Sequence, residues 1–137
     1  MSKLNAVRIA LENHLATITG VTLPSVAWPN VPFTRQEGMA YVHVDFVPIL
    51  RRPVTAGPNP EQRRSGQFFM TIYTPEDQGA SAGMLLAEAL ESRFNGSDAI
   101  VADDVIVRLE YSEAKRPLHD PPFFAIPVEV GWYCYNR

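Results

Sequence analysis

The chain has a single cysteine, Cys134, so no intrachain disulfide can form and the fold must stand on its apolar core, as suits a reducing compartment. It has little lysine, two residues (Lys3 and Lys115) against ten arginines, and a net charge of −3. That balance gives no broad basic surface for nucleic acid or an anionic membrane. No run of eighteen apolar residues occurs, and the opening MSKLNAVRIALENHL is interrupted by charges. A membrane-spanning helix and a signal peptide are therefore not expected, and synthesis and folding in the cytosol are. The motifs G-x-x-x-x-G-K-S/T, G-x-G-x-x-G, G-x-S-x-G, H-E-x-x-H and C-x-x-C are all missing, which removes the usual phosphate, nucleophile and metal signatures.

What is present reads as one domain. With 137 residues, 46% hydrophobic and 20% charged, the chain can bury a core of its own. Leu4, Val7, Leu11, Leu15 and Ile18 recur at helical steps and predict an amphipathic helix over 3–18, capped by Ser2 and ended by Gly20. Pro24, Pro29 and Pro32 leave room only for a short edge strand at 25–28. Residues 39–47 alternate, with Val42, Val44 and Phe46 opposite Tyr41, His43 and Asp45. Residues 67–74 alternate again, Phe68, Met70 and Ile72 opposite Phe69, Thr71 and Tyr73, and both faces are apolar enough for a central strand.

A second helix is predicted over 79–94 from Gly83, Leu86, Ala87, Leu90 and Phe94, stopped at Asn95-Gly96. Asp103 and Asp104 then belong to a polar turn that follows Gly96 and Ser97. Val105, Val107, Leu109 and Tyr111 mark a strand, 112–122 a turn-rich connection, and 123–135 the longest strand, with Pro127 requiring an edge position or a bulge. The expectation is an α+β fold, a mainly antiparallel mixed sheet with two helices packed on one face.

Between Pro48 and Arg64 the composition changes to four prolines, Gly57 and Arg51, Arg52, Arg63 and Arg64 against Glu61. A long Pro/Arg loop over 48–66 fits, mobile in the free subunit. Its arginines suit pairing with acids on a neighbouring protein, a solvated loop, or phosphate, and the acidic balance of the chain favours protein. Elsewhere His43, Asp45, His119 and Asp120 have ligand-like character, but strand alternation explains the first two and no metal or cofactor is expected. Cys134 shares a strand face with Trp132 and Val130, which makes it a small buried residue rather than a nucleophile.

Taken in order, the opening helix, the AWPNVPFTRQEGMAYVHVDFVP passage, the R-x-x-G-x-F pattern at Arg63 to Phe68 with Thr74-Pro75 after it, and the closing IPVEVGWYCY strand resemble the small tail-terminator family of long-tailed phages. The resemblance implies a non-enzymatic virion protein at the head-proximal end of the tail. It implies a hexameric ring that caps the tail tube, stops its polymerisation and offers the head-joining surface. Partners would be further copies of itself, the major tail tube protein and a head-completion or connector protein, with DNA passing through on at most non-specific contact and no membrane. A ring uses a heterologous interface, hence two different patches. Phe33, Phe69, Tyr73, Tyr133 and Tyr135, with the four arginines, are the candidate contacts. Two other readings stay open: a different neck or head-completion component, and a small-molecule domain with a pocket near His43, Asp45 and His119.

Overall fold

Helix α1 (Lys3–Ala16) forms on the predicted stripe, with Val7, Leu11 and Leu15 fully buried between Ala6 and Ala10. It ends two residues early in a tighter turn, Ile18 N–H donating to the Leu15 carbonyl, and Gly20 then adopts φ +88°. In the computed structural model, residues 3–96, 98–102 and 105–136 are described; Ser2, Ser97, Asp103 and Asp104, to which a cap and a turn were ascribed, lie outside them. Seven strands and a second helix follow: β1 (Ser25–Ala27), β2 (Tyr41–Pro53), β3 (Gln62–Pro75), α2 (Ser81–Arg93), β4 (Ala99–Ala102), β5 (Val105–Ala114), β6 (Leu118–Asp120) and β7 (Phe123–Asn136).

The strands make one sheet in the order β1-β2-β3-β7-β5-β4, with β6 pairing β7. Only β1 and β2 run parallel. The fold is the expected α+β single domain. Both helices lie on one face, where Leu11, Leu15, Leu86, Leu90 and Phe94 share a core with Val44, Phe68, Met70, Val107, Val128 and Trp132. Among the described residues, the opposite face carries no helix.

Three sequence expectations need correction. The 48–66 loop is instead a β-hairpin arm, in which Arg51 pairs with Arg64, Arg52 with Arg63 and Pro53 with Gln62, and only 54–61 is turn. Proline and arginine read as loop because proline cannot donate to a ladder. Here β1 covers only Tyr41–His43, so β2 beyond them is an edge strand that tolerates Pro48 and Pro53, with a register shift between Pro48 and Leu50. The segment is thus paired over most of its length rather than irregular. Pro127 is neither at an edge nor bulged: β7 pairs without interruption along β3. The carbonyl of Pro127 accepts from Lys115 N–H at 2.7 Å just past the end of β5, so its missing donor falls where the neighbour changes from β6 to β5. Finally, the 112–122 connection is partly strand, since β5 continues to Ala114 and Leu118–Asp120 forms β6 against β7.

The helices are tied at their C-terminal ends. His14 Nε2 lies 2.7 Å from the Arg93 carbonyl, Arg93 Nε donates to the His14 carbonyl at 2.9 Å, and the His14 ring meets Phe94 edge-on at 4.9 Å. Burial lowers the His14 pKa below its ordinary 6.5, outweighing the Arg93 carbonyl that raises it. The unfolded chain therefore takes up the proton first, and stability is full above pH 6.5 and falls as the pH drops beneath it. Between about pH 7.5 and about pH 5.5 the melting temperature should fall in the wild type and fall less in His14→Gln. Parallel curves for the two proteins would contradict this.

Candidate functional site

With both helices on one face, the other face of the sheet is free to display side chains, and the odd-numbered residues of β3, of β7 and of β2 as far as Val47 point there by strand alternation, joined beyond the register shift by Leu50 and Arg52. The hairpin register places Tyr41 beside Tyr73 and Tyr73 beside Ala125. Tyr41 and Tyr73 stack at 4.5 Å and 5°. Phe123 meets both edge-on, at 5.3 and 6.1 Å, and Phe33 lies 5.1 Å from Tyr41. Arg35 covers the Phe123 ring at 5.1 Å and reaches Asp120 at 3.4 Å. Burial, and then the neighbouring Tyr41 and Asp120, push the Tyr73 phenol above its usual range. This is one aromatic cluster, at the β1 end of the face.

The same alternation builds a second cluster at the arm end. Tyr133 and Tyr135 meet edge-on at 5.9 Å. The Arg63 guanidinium sits 4.6 Å from the Tyr133 ring and donates to Glu110 at 2.8 Å. Arg52 stands beside Arg63 across the hairpin. Between the clusters lies a polar strip, where Tyr111 and Gln67 donate to Glu129 and Phe69 is flanked by Asp45 and Glu129 in the register.

The nine expected contact residues are thus divided. Phe33 and Tyr73 join one cluster; Arg63, Tyr133, Tyr135 and the adjacent Arg52 form the other; Phe69 belongs to neither. Arg51 and Arg64 pair on the opposite, helix-side face of the arm, where Arg64 Nε is buried without a hydrogen-bond partner among the described residues. The arginines are therefore two pairs on two faces. Sequence reading missed Arg35, Tyr41, Phe123, Tyr111 and Glu129. Tyr41 was legible as an outward residue, but its stacking on Tyr73 depends on hairpin register.

The ligand-like residues separate. His43 and Asp45, 3.4 Å apart, are on the outer face, and His43 borders a depression of about 450 Å³ with Trp28, Asn30, Phe33 and Arg35. His119 pairs in register with Phe124, so it points to the helix side, where it lies 3.2 Å from Glu76 in a different depression. A single pocket lined by His43, Asp45 and His119 is not formed. Among the described residues, no three His, Cys, Asp or Glu side chains are grouped to hold a metal ion. Cys134 is fully buried, and desolvation pushes its thiol up against the opposing effect of Arg64, which disfavours a nucleophilic thiolate. No described helix is long and apolar enough to cross a membrane.

Comparison with known proteins identifies the family of the chain. The family model described as phage tail terminator protein matches residues 6–132. The chain belongs to the phage tail terminator family. A solved structure, 22% identical over all of this chain and 97% of its own length, superposes with a TM-score of 0.78, so the α+β architecture is shared. No curated protein matches the sequence. Membership of the terminator family makes this a structural protein of the phage tail, whose partners are other tail and head proteins. The sequence resemblance to tail terminators is thereby confirmed.

Proposed function

We propose that this terminator subunit closes with further copies of itself into a ring, a hexamer, that caps the tail tube, stops its polymerisation and presents the surface to which the head is joined. The observation that supports it most is the helix-free outer face with an aromatic and arginine cluster at each end. The two clusters differ in composition, Phe33, Tyr41, Tyr73 and Phe123 with Arg35 against Tyr133 and Tyr135 with Arg63. A cyclic assembly needs two unlike patches per subunit, and aromatic and arginine side chains are enriched in such contacts. The major tail tube protein and a head-completion or connector protein are the outer partners. DNA passes through the opening with at most non-specific contact.

Sedimentation velocity on the purified protein, alone and with tail tubes, should show a closed ring or a monomer–ring equilibrium. Complementation of a terminator-deficient phage should restore tails of normal length with heads attached. A protein that stays monomeric at high concentration and beside tubes, or that leaves over-long tails, overturns the reading. In the same assay Arg51→Ser with Arg52→Ser should leave stability within about 0.5 kcal/mol of wild type, since both are exposed. Arg63→Ser should cost about 1 kcal/mol, because Arg63 has its Glu110 and Tyr133 contacts to lose.

A further inference from the structure

Apart from Leu118 of β6, the exposed aliphatic side chains of the strands lie toward opposite edges of the sheet. On the β2 edge, Ile49 and Leu50 are 61% and 46% exposed, and Val54 follows at the turn. On the far edge, β4 carries no charge, and its Val101 is 75% exposed beside Ile106, its cross-strand partner on β5. A groove of about 380 Å³ opens there between β4 and α1, lined by Ile9, Asn13, His14, Thr17, Ile100 and Val101. Edge protection accounts for Pro48, Pro53, Arg51 and Arg52, which blunt β2 against strand pairing. It does not account for three exposed aliphatic side chains on the arm, nor for an uncharged β4.

Charge supplies the occupant. Arg51, Arg52, Arg63 and Arg64 against Glu61 give the arm a net +3, so the rest of a chain whose total is −3 carries −6. The most complementary surface available to the arm is that of another copy. At the groove the acid is Asp98, which is exposed and close enough to act on the charge of His14. Of the basic residues nearby, Arg8 is engaged by Glu12 and Arg93 by His14 and Thr17, while Arg108, which pairs with Ala99, lies on the outer face of the sheet beside Tyr133. We infer that, in the ring proposed above, the β2–β3 arm of one subunit seats Ile49 and Leu50 in the α1–β4 groove of the next, with Arg52, on the same face of the arm as Leu50, facing Asp98. The two surfaces lie on opposite edges of one sheet, so the contact is head-to-tail and can close under rotation. Prolines at 48 and 53 cannot donate, so side chains rather than a continued sheet make the contact.

The inference rests on the ring reading, and cysteine cross-linking separates the two. Native Cys134 is buried and stays out of the reaction. Leu50→Cys mixed with Val101→Cys should give a disulfide-linked dimer under mild oxidation, and the double variant a ladder ending at the ring, while neither single variant links to itself. Ile49→Asp with Leu50→Asp should keep the wild-type melting temperature and raise the concentration for assembly by roughly tenfold or more. Rings that form and resist both changes overturn the arm-in-groove contact and leave the ring standing. Self-linking by Leu50→Cys alone also overturns it, since the arms would then meet each other. Wild-type protein that never forms rings removes both readings.

Discussion

Gly66→Ala should lower the unfolding free energy by about 2 kcal/mol, although the change is only one methyl group. A Cβ at position 66 would lie 2.3 Å from the Val47 carbonyl oxygen, 2.9 Å from the Pro48 Cα and 2.8 Å from Trp132 Cζ2. Two of the three obstacles are backbone, held in place because Pro48 is the residue paired with Gly66. Overpacking of this kind costs about 1 to 3 kcal/mol, and the upper end applies when the obstacle cannot rotate away. The smaller conformational freedom of alanine in the unfolded chain returns about 0.4 to 1 kcal/mol. Urea titration measures the difference. A loss below about 0.5 kcal/mol, the usual size of a surface change, would show that the arm base is looser than described. Because the obstruction is mainly the Val47 carbonyl, trimming the ring by Trp132→Phe should not rescue it. This close approach is the physical reason for the glycine in the R-x-x-G-x-F pattern.

Trp132→Ala should cost more, about 3 to 5 kcal/mol, a large part of the stability of a domain this size. Trp132 is fully buried, belongs to the main core and stacks on Phe46 at 5.3 Å and 10°. Its Nε1 is buried without a hydrogen-bond partner among the described residues, so the indole also carries an uncompensated donor. Trp132→Phe removes that donor along with one ring and should cost about 1.5 kcal/mol or less. If Phe proved as damaging as Ala, the indole nitrogen would have to be making a bond that the structure does not contain. Both substitutions strike the anchor of the arm, since Trp132 pairs with Gly66 in register, so assembly should weaken along with folding.

Local patterns in the chain were sufficient for several elements and misleading for others. The stripe Leu4, Val7, Leu11, Leu15 located α1, and Gly83, Leu86, Ala87, Leu90, Phe94 located α2, because helical periodicity repeats within a few residues. The alternation from Phe68 to Tyr73 marked β3 as central, which its position between β2 and β7 bears out. The arm was hidden because Pro48, Pro53 and the arginines carry loop propensity, and only the absence of a neighbour beyond His43 makes them acceptable in β2. His43, Asp45 and His119 looked like a possible group until pairing with Phe124 turned His119 to the other side of the sheet.

By itself, then, the sequence determined the fold class, the core-facing residues, the burial of Cys134 and, through the order and spacing of its segments, the terminator family. These depend on side-chain periods of two and 3.6 residues and on composition, both of which are written locally. Only the tertiary structure decided that Arg51 and Arg64 face away from Arg52 and Arg63, that Tyr41 stacks on Tyr73, and that the β2 and β4 edges are the exposed ends of one sheet. Each of these follows from the register between strands distant in the chain, where a shift of one residue would turn every side chain to the other face.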